Sequence, residues 1–247
     1  MAKTFLAGLL LVLSFTLQAA DIKIAVASNF MPTMRVLAEH FQQQTGNRLI
    51  LSAGSTGKHY AQIINGAPFD VFLAADSKRP QLLDQQGKVV NGQRFTYARG
   101  QLVLWSPQPS LVDDQLSSLK SARFNHLAIA NPKLAPYGRA AQQVLQAKSL
   151  WQPLQGKMVR GENIGQAFQF VQSGNAELGF VALSQIKALA ADQSGSWWLP
   201  PQALYQNIDQ QAVLLTANPI ASQFMAFLQH ADARQLIQQA GYEIPDA

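Results

Sequence analysis

The order in which short apolar runs and helical stripes alternate is what most constrains this chain. Ile22–Ala27 is a β-rich run, and the stretch from about Pro32 to Gln44 then places Met34, Leu37, Ala38 and Phe41 at helical spacing. Pro32 suits a first helical turn and Thr45-Gly46 a helix stop. Arg48–Leu51 is strand-like again, and the helix that follows it places Tyr60, Ile63 and Ile64 on one side. Pro68–Ala75 reads as a buried strand, with Asp76-Ser77 capping a helix that runs to Gly87. A β-α-β-α-β-α order is the mark of a parallel sheet covered on both faces, so the fold class is α/β.

The second half repeats this rhythm without repeating the sequence. Phe95–Ser106 reads as one long strand interrupted at Gly100 and broken off by Pro107 and Pro109. A new unit begins near Leu102, with strands at Leu127–Ala130, Lys157–Arg160 and Leu178–Leu183. Between them lie a rigid loop, Asn131–Gly138, and helices over Arg139–Lys148, through Phe168 to Ser173, and from Ser184 to Ala191. Gly195–Pro201 reads as a loop whose tryptophans pack. Gln211–Thr216 is a strand, followed by helices over Pro219–His230 and Asp232–Ala240. Two lobes follow: one from residues 21–101 together with 211–247, the other from 102–210, with crossings near Leu102 and Gln210.

The length of 247 residues, 48% hydrophobic and 13% charged, suffices for two cores. The formal charge of +5 is scattered, with no Lys/Arg run, so no nucleic-acid or membrane surface is expected. Lys3, the apolar run Thr4–Leu17 and Gln18-Ala19-Ala20 form the three parts of a secretory signal peptide, 1–20, with cleavage expected after Ala19 or Ala20. With no Cys in the chain, the expected product is exported, soluble, neither lipid-anchored nor disulfide-bonded.

Four strand-to-helix turns share a character: Ser28-Asn29, Ser55-Thr56, Ala135–Gly138 and Glu162–Gly165. Helix starts carry free N–H groups and roughly half a positive charge each, so four converging would total roughly +2. That balances a doubly charged oxyanion without lysine or arginine, and hydroxyls from Ser28, Ser55 and Tyr137 would add donors. An ordinary αβ turn with a capping serine is the alternative for any one of them. Gly54–Lys58 does not complete a P-loop, because His59 follows Lys58. There is no G-x-S-x-G elbow, and His40, His59, His126 and His230 stand apart without metal spacing. An exported enzyme using Ser28 or Ser55 as nucleophile would need a base, and only Lys58 lies in those turns.

Five segments together resemble one family, the periplasmic molybdate-binding proteins of ABC importers. They are Val26–Asn29, Ser52–Gly57, Gly66–Asp76 (GAPFDVFLAAD), Ala135–Gly138 and Gly161–Asn163. The resemblance implies a two-lobed type II periplasmic-binding-protein fold, each lobe a mostly parallel sheet flanked by helices. It implies molybdate or tungstate as ligand, held by neutral donors: Ser28, Asn29 and Ser55 from one lobe, Tyr137 and the Ile164 backbone from the other. No cofactor and no free metal cation are implied, the metal entering only as its oxyanion, and no catalysis. The implied partner is an inner-membrane permease with its cytoplasmic ATPase, met by a monomer in the periplasm. Sulfate, of equal charge and shape, is the rival ligand. One departure stands out: many members carry a binding tyrosine in a G-[IF]-V-Y run, where this chain has Ala182. Tyr137 in the A-P-Y-G loop matches members that place it there instead.

Overall fold

The computed structural model describes residues 21–245; the expected signal peptide lies outside the described residues. The first sheet contains β1 (Ile22–Ala27), β2 (Leu49–Gly54), β3 (Val71–Ala74), β4 (Arg94–Gly100) and β10 (Ile208–Leu214), in the order β2-β1-β3-β10-β4. The second contains β5 (Leu102–Ser106), β6 (Leu127–Ala130), β7 (Met158–Gly161), β8 (Leu178–Ala182) and β9 (Ser196–Trp198), in the order β7-β6-β8-β5-β9. Each sheet has a parallel trio at one side. In each, one strand runs against the rest: β10 pairs antiparallel with β3 and β4, and β5 with β8 and β9.

The helices are α1 (Met31–Thr45), α2 (Thr56–Ile64), α3 (Lys78–Gln85), α4 (Ser117–Ser121), α5 (Pro136–Ala147), α6 (Trp151–Leu154), α7 (Ile164–Gln172), α8 (Leu183–Lys187), α9 (Pro219–Phe227) and α10 (Ala231–Gln239). A 3-10 turn, Ser28–Phe30, leads into α1. Helix α1 buries Thr33, Met34, Leu37 and Phe41 on the first sheet and stops at Gly46, whose φ of 73° suits glycine. Phe41 meets Phe224 and Phe227 edge-on, each with a centroid distance of 5.4 Å. The second lobe has its own core, built on Leu104, Trp105, Ile129, Leu145, Val171 and Phe180.

Several local expectations are corrected. Helix α2 buries Thr56, His59 and Ile63, whereas Ile64 is exposed and Tyr60 half-buried, because the sheet lies under a face one residue off the apolar stripe. Helix α5 begins at Pro136, not Arg139, so Pro136 and Tyr137 occupy its first turn. Helix α8 is a single short turn, and the Trp197-Trp198 segment is edge strand β9, with Trp198 buried and Trp197 exposed.

His59 is a structural residue. Its ring packs edge-on against Phe69 and Phe72, Nε2 lies 3.2 Å from the Val26 carbonyl and Nδ1 3.1 Å from Gln62 Oε1. A Cβ on Gly54 would lie 2.7 Å from Nε2, which accounts for glycine there. Burial, reinforced weakly by Lys58, lowers the His59 pKa below its ordinary 6.5. As pH falls through 6.5 the unfolded chain takes a proton that folded His59 refuses. This contribution to stability is therefore complete above 6.5 and declines below it, down to the depressed folded value. We expect the melting temperature to fall between about pH 7 and about pH 5 by more in the wild type than in His59→Gln, as read by thermal denaturation. Equal declines would show that His59 contributes nothing to the acid sensitivity.

Candidate functional site

The turns after β1 and β2 in the first sheet face those after β6 and β7 in the second, and a small cavity of about 10 Å³ lies among them. A cavity this small suits a water or a small inorganic ion rather than an organic molecule. Ser28, Asn29, Ser55, Tyr137 and Ile164 all line it, together with Thr56, Ala75 and Pro136. No charged side chain does. A larger cavity of about 450 Å³ lies beside β4 and β10, but there Arg99 and Asp209 satisfy each other at 2.6 Å. Size points to the larger cavity; the convergence of polar backbone points to the smaller.

Three α-helices end at the small cavity, and their first-turn amides can be accounted for one by one. In α2, Gly57 N–H donates to Leu134 O at 2.9 Å and Lys58 N–H to the capping Ser55 Oγ at 3.2 Å, so Thr56 N–H is left over. In α7, Gly165 N–H donates to Ser28 Oγ at 3.1 Å and Gln166 N–H to the capping Asn163 Oδ1 at 3.0 Å, so Ile164 N–H is left over. Helix α5 has Pro136 at its first position and no side-chain cap, which leaves Tyr137 N–H, whose residue lines the cavity, together with Gly138 N–H. Among the described residues, none of these leftover amides has a protein acceptor. At roughly half a charge per helix start, the three contribute roughly +1.5 at one point.

The hydroxyls are set to donate as well. Ser28 Oγ and Ser55 Oγ each accept an N–H, which leaves their own hydrogens for something else. Tyr137 is buried, and burial pushes its pKa well above the usual phenol range, so it remains protonated. Its oxygen meets Gln210 Nε2 at 3.3 Å. Asn29 differs from the serines: its side-chain N–H groups go to Gln210 Oε1 at 2.9 Å and Tyr242 Oη at 3.1 Å, and its carbonyl accepts the Tyr242 hydroxyl at 2.9 Å, which leaves its backbone N–H for the cavity. The serines and tyrosine are legible as donors in sequence. The internal use of the Asn29 amide is not, since its partners lie 181 and 213 residues away.

The rim is closed by contacts between the lobes. Lys58 pairs with Glu162 at 3.0 Å, so the one acid near the α7 turn points to a lysine and away from the cavity. That pair is about half exposed and contributes at most about 1 kcal/mol. Asp76, which ends the GAPFDVFLAAD run, is a stronger joint. It pairs with Arg79 of its own lobe and at 3.3 Å with Arg139 of α5, while Arg79 Nη2 donates to Lys133 O at 3.1 Å. A Cβ on Gly57 would stand 2.9 Å from Leu134 O, so glycine there lets the second lobe approach the α2 terminus. Sequence marks Asp76 as a helix cap and as the end of the GAPFDVFLAAD run, and its Oδ1 does accept Arg79 N–H at 3.1 Å; its pairing with the Arg79 and Arg139 side chains has no sequence signal.

Two five-stranded α/β lobes closed over a small cavity of donors define a solute-binding protein, and the family model for bacterial extracellular solute-binding proteins matches residues 22–243. Within that class, the chain belongs to the family of the ModA molybdate-binding proteins. It is 50% identical to the molybdate-binding protein ModA of Azotobacter vinelandii over 91% of this chain and 90% of the relative. With the ModA of Rhodobacter capsulatus it shares 42% identity over 95% and 94%. The solved periplasmic molybdate-binding protein of Azotobacter vinelandii superposes with a TM-score of 0.87 at 46% identity, covering 91% of this chain and all of that one.

Proposed function

We propose that this chain is the extracytoplasmic receptor of an ABC importer, binding molybdate, and also tungstate, between its two lobes. The observation that carries this reading is a cavity walled by N–H and O–H donors with no charged side chain. A tetrahedral dianion offers acceptors in every direction and needs no donor of its own. Hydrogen phosphate carries a proton that needs an acceptor, and both nearby carboxylates, Asp76 and Glu162, are held by arginine or lysine. The molybdate-binding names of the relatives supply the choice among dianions.

Ser28, Ser55 and Tyr137 are the side chains assigned to the anion, with backbone N–H groups of Asn29, Tyr137 and Ile164. The receptor acts without cofactor and catalyses no reaction; the metal arrives already in its oxyanion. It works in the periplasm as a monomer, one lobe built from both ends of the chain and the other from its middle, and hands the anion to a membrane permease driven by a cytoplasmic ATPase. No helix among the described residues is long and apolar enough to cross a membrane.

Titration calorimetry of the purified protein with molybdate, tungstate, sulfate and phosphate tests this directly. Tight binding of the first two alone is expected. Sulfate binding as tight as molybdate would move the assignment to sulfate, and no heat from any oxyanion would end the receptor reading. Ser55→Ala removes one donor to a buried dianion and is expected to weaken molybdate binding by about 1.5–3 kcal/mol. An unchanged affinity would take Ser55 out of the site.

A further inference from the structure

Behind the cavity, Gln210 is wholly buried on β10, where that strand's register with β4 shifts. Both ends of its amide are engaged. Oε1 accepts from Asn29 Nδ2 at 2.9 Å and from the Tyr97 hydroxyl at 3.0 Å, and Nε2 donates to the Tyr137 oxygen at 3.3 Å. The neighbours dictate this orientation. Asn29 Nδ2 has only hydrogens to offer, so the carbonyl end must face it and the amino end must face Tyr137. Asn29 follows β1 of the first sheet and Tyr137 opens α5 beside the second, and both line the cavity.

An apolar side chain could fill the volume of Gln210. It could not occupy the lone pair of Tyr137. With that lone pair filled, the Tyr137 hydrogen is left to donate, and among the described residues it meets no protein acceptor. Gly100, the last residue of β4, keeps the space open: a Cβ there would overlap the Tyr137 oxygen and stand 2.7 Å from Gln210 Nε2. The same amide therefore ties down Asn29 on one wall and sets the direction of the hydroxyl on the other.

We propose that Gln210 is a positioning residue for anion binding, joining the two cavity walls and committing the Tyr137 proton to the bound oxyanion. This rests on the reading of the cavity as an oxyanion site and deepens it. A wall whose hydroxyls each already accept an N–H turns their hydrogens to the cavity and so favours an oxyanion whose oxygens there are bare. Gln210 thereby favours a fully deprotonated dianion over a protonated one.

The test is calorimetry with molybdate on the full chain as wild type, Gln210→Met, Gln210→Glu, Tyr137→Phe and the Gln210→Met/Tyr137→Phe double variant, each checked by thermal melting without ligand. Gln210→Met and Tyr137→Phe are each expected to weaken binding about 10- to 100-fold. The double variant should fall well short of the product of the two losses, because the amide acts partly through the hydroxyl. Gln210→Glu, of the same shape, sets an acceptor against the Tyr137 oxygen and turns its proton from the anion, so it should bind more weakly than Gln210→Met. Losses that multiply in full would overturn the proposal, as would a folded Gln210→Met with wild-type affinity. Should Gln210→Met fail to fold, wild-type affinity in Gln210→Glu would overturn it equally. A wild type that binds no molybdate would overturn the oxyanion reading and this proposal together, an outcome distinct from the variant results.

Discussion

Asp76→Ala should be destabilised by about 3 kcal/mol and should bind its anion more weakly than the wild type. Asp76 and Arg79 have side chains only 11% and 14% exposed, so neither charge is well solvated when alone. Removing the carboxylate strands Arg79 and takes from Arg139 its partner across the cleft. It also removes Oδ1 as acceptor for Arg79 N–H at 3.1 Å, in the first turn of α3. Arg79 keeps one acceptor, Lys133 O, which is why the low end of the range for broken buried pairs applies. Urea denaturation without ligand measures the stability loss, and calorimetry measures the loss of closure. Asp76→Asn keeps the Oδ1 acceptor and drops only the charge, so it should lose less stability. An Asp76→Ala protein as stable as the wild type would mean that the two guanidinium groups find water as readily as they find Asp76.

Ser28→Ala should be the most damaging of the serine substitutions, with binding weakened by about 3 kcal/mol, a factor of roughly 100 in Kd. The serine does two things at once. Its hydrogen is free for the anion, and its oxygen accepts Gly165 N–H at 3.1 Å from the opposite lobe. Alanine removes a donor to the ligand and leaves a part-buried amide of α7 without its partner. Ser55 also accepts an amide, but from Lys58 of the same helix, whose side chain is half exposed at the rim. Water can replace that cap, so Ser55→Ala should lose less. The comparison by calorimetry is direct. Equal losses would show that the Ser28–Gly165 contact across the cleft contributes nothing to closure.

Much of the fold is local and was therefore legible. The alternation of Ile22–Ala27, the α1 stripe and the Pro68–Ala75 run depends on periods of two and 3.6, which act within a few residues. The errors lie where tertiary context overrode that signal. Ile64 continues an apolar stripe yet is exposed, while His59, polar by type, is taken inside by Phe69, Phe72 and the Val26 carbonyl. Trp197 and Trp198 looked like loop residues because three residues of edge strand carry too little pattern to be seen.

The sequence by itself determined the strand–turn–helix order, the two-lobed α/β class and the small polar residues at four helix starts. Such features are written in runs of neighbours. Only the tertiary structure decided that β10 inserts antiparallel between β3 and β4, bringing Gln210 under Asn29 and Tyr137. It alone turned the Asn29 amide inward, set Asp76 against Arg139, and joined Ser28 to Gly165. Those contacts span 63 to 213 residues of chain and depend on which lone pair meets which hydrogen, information that no local run of residue types contains.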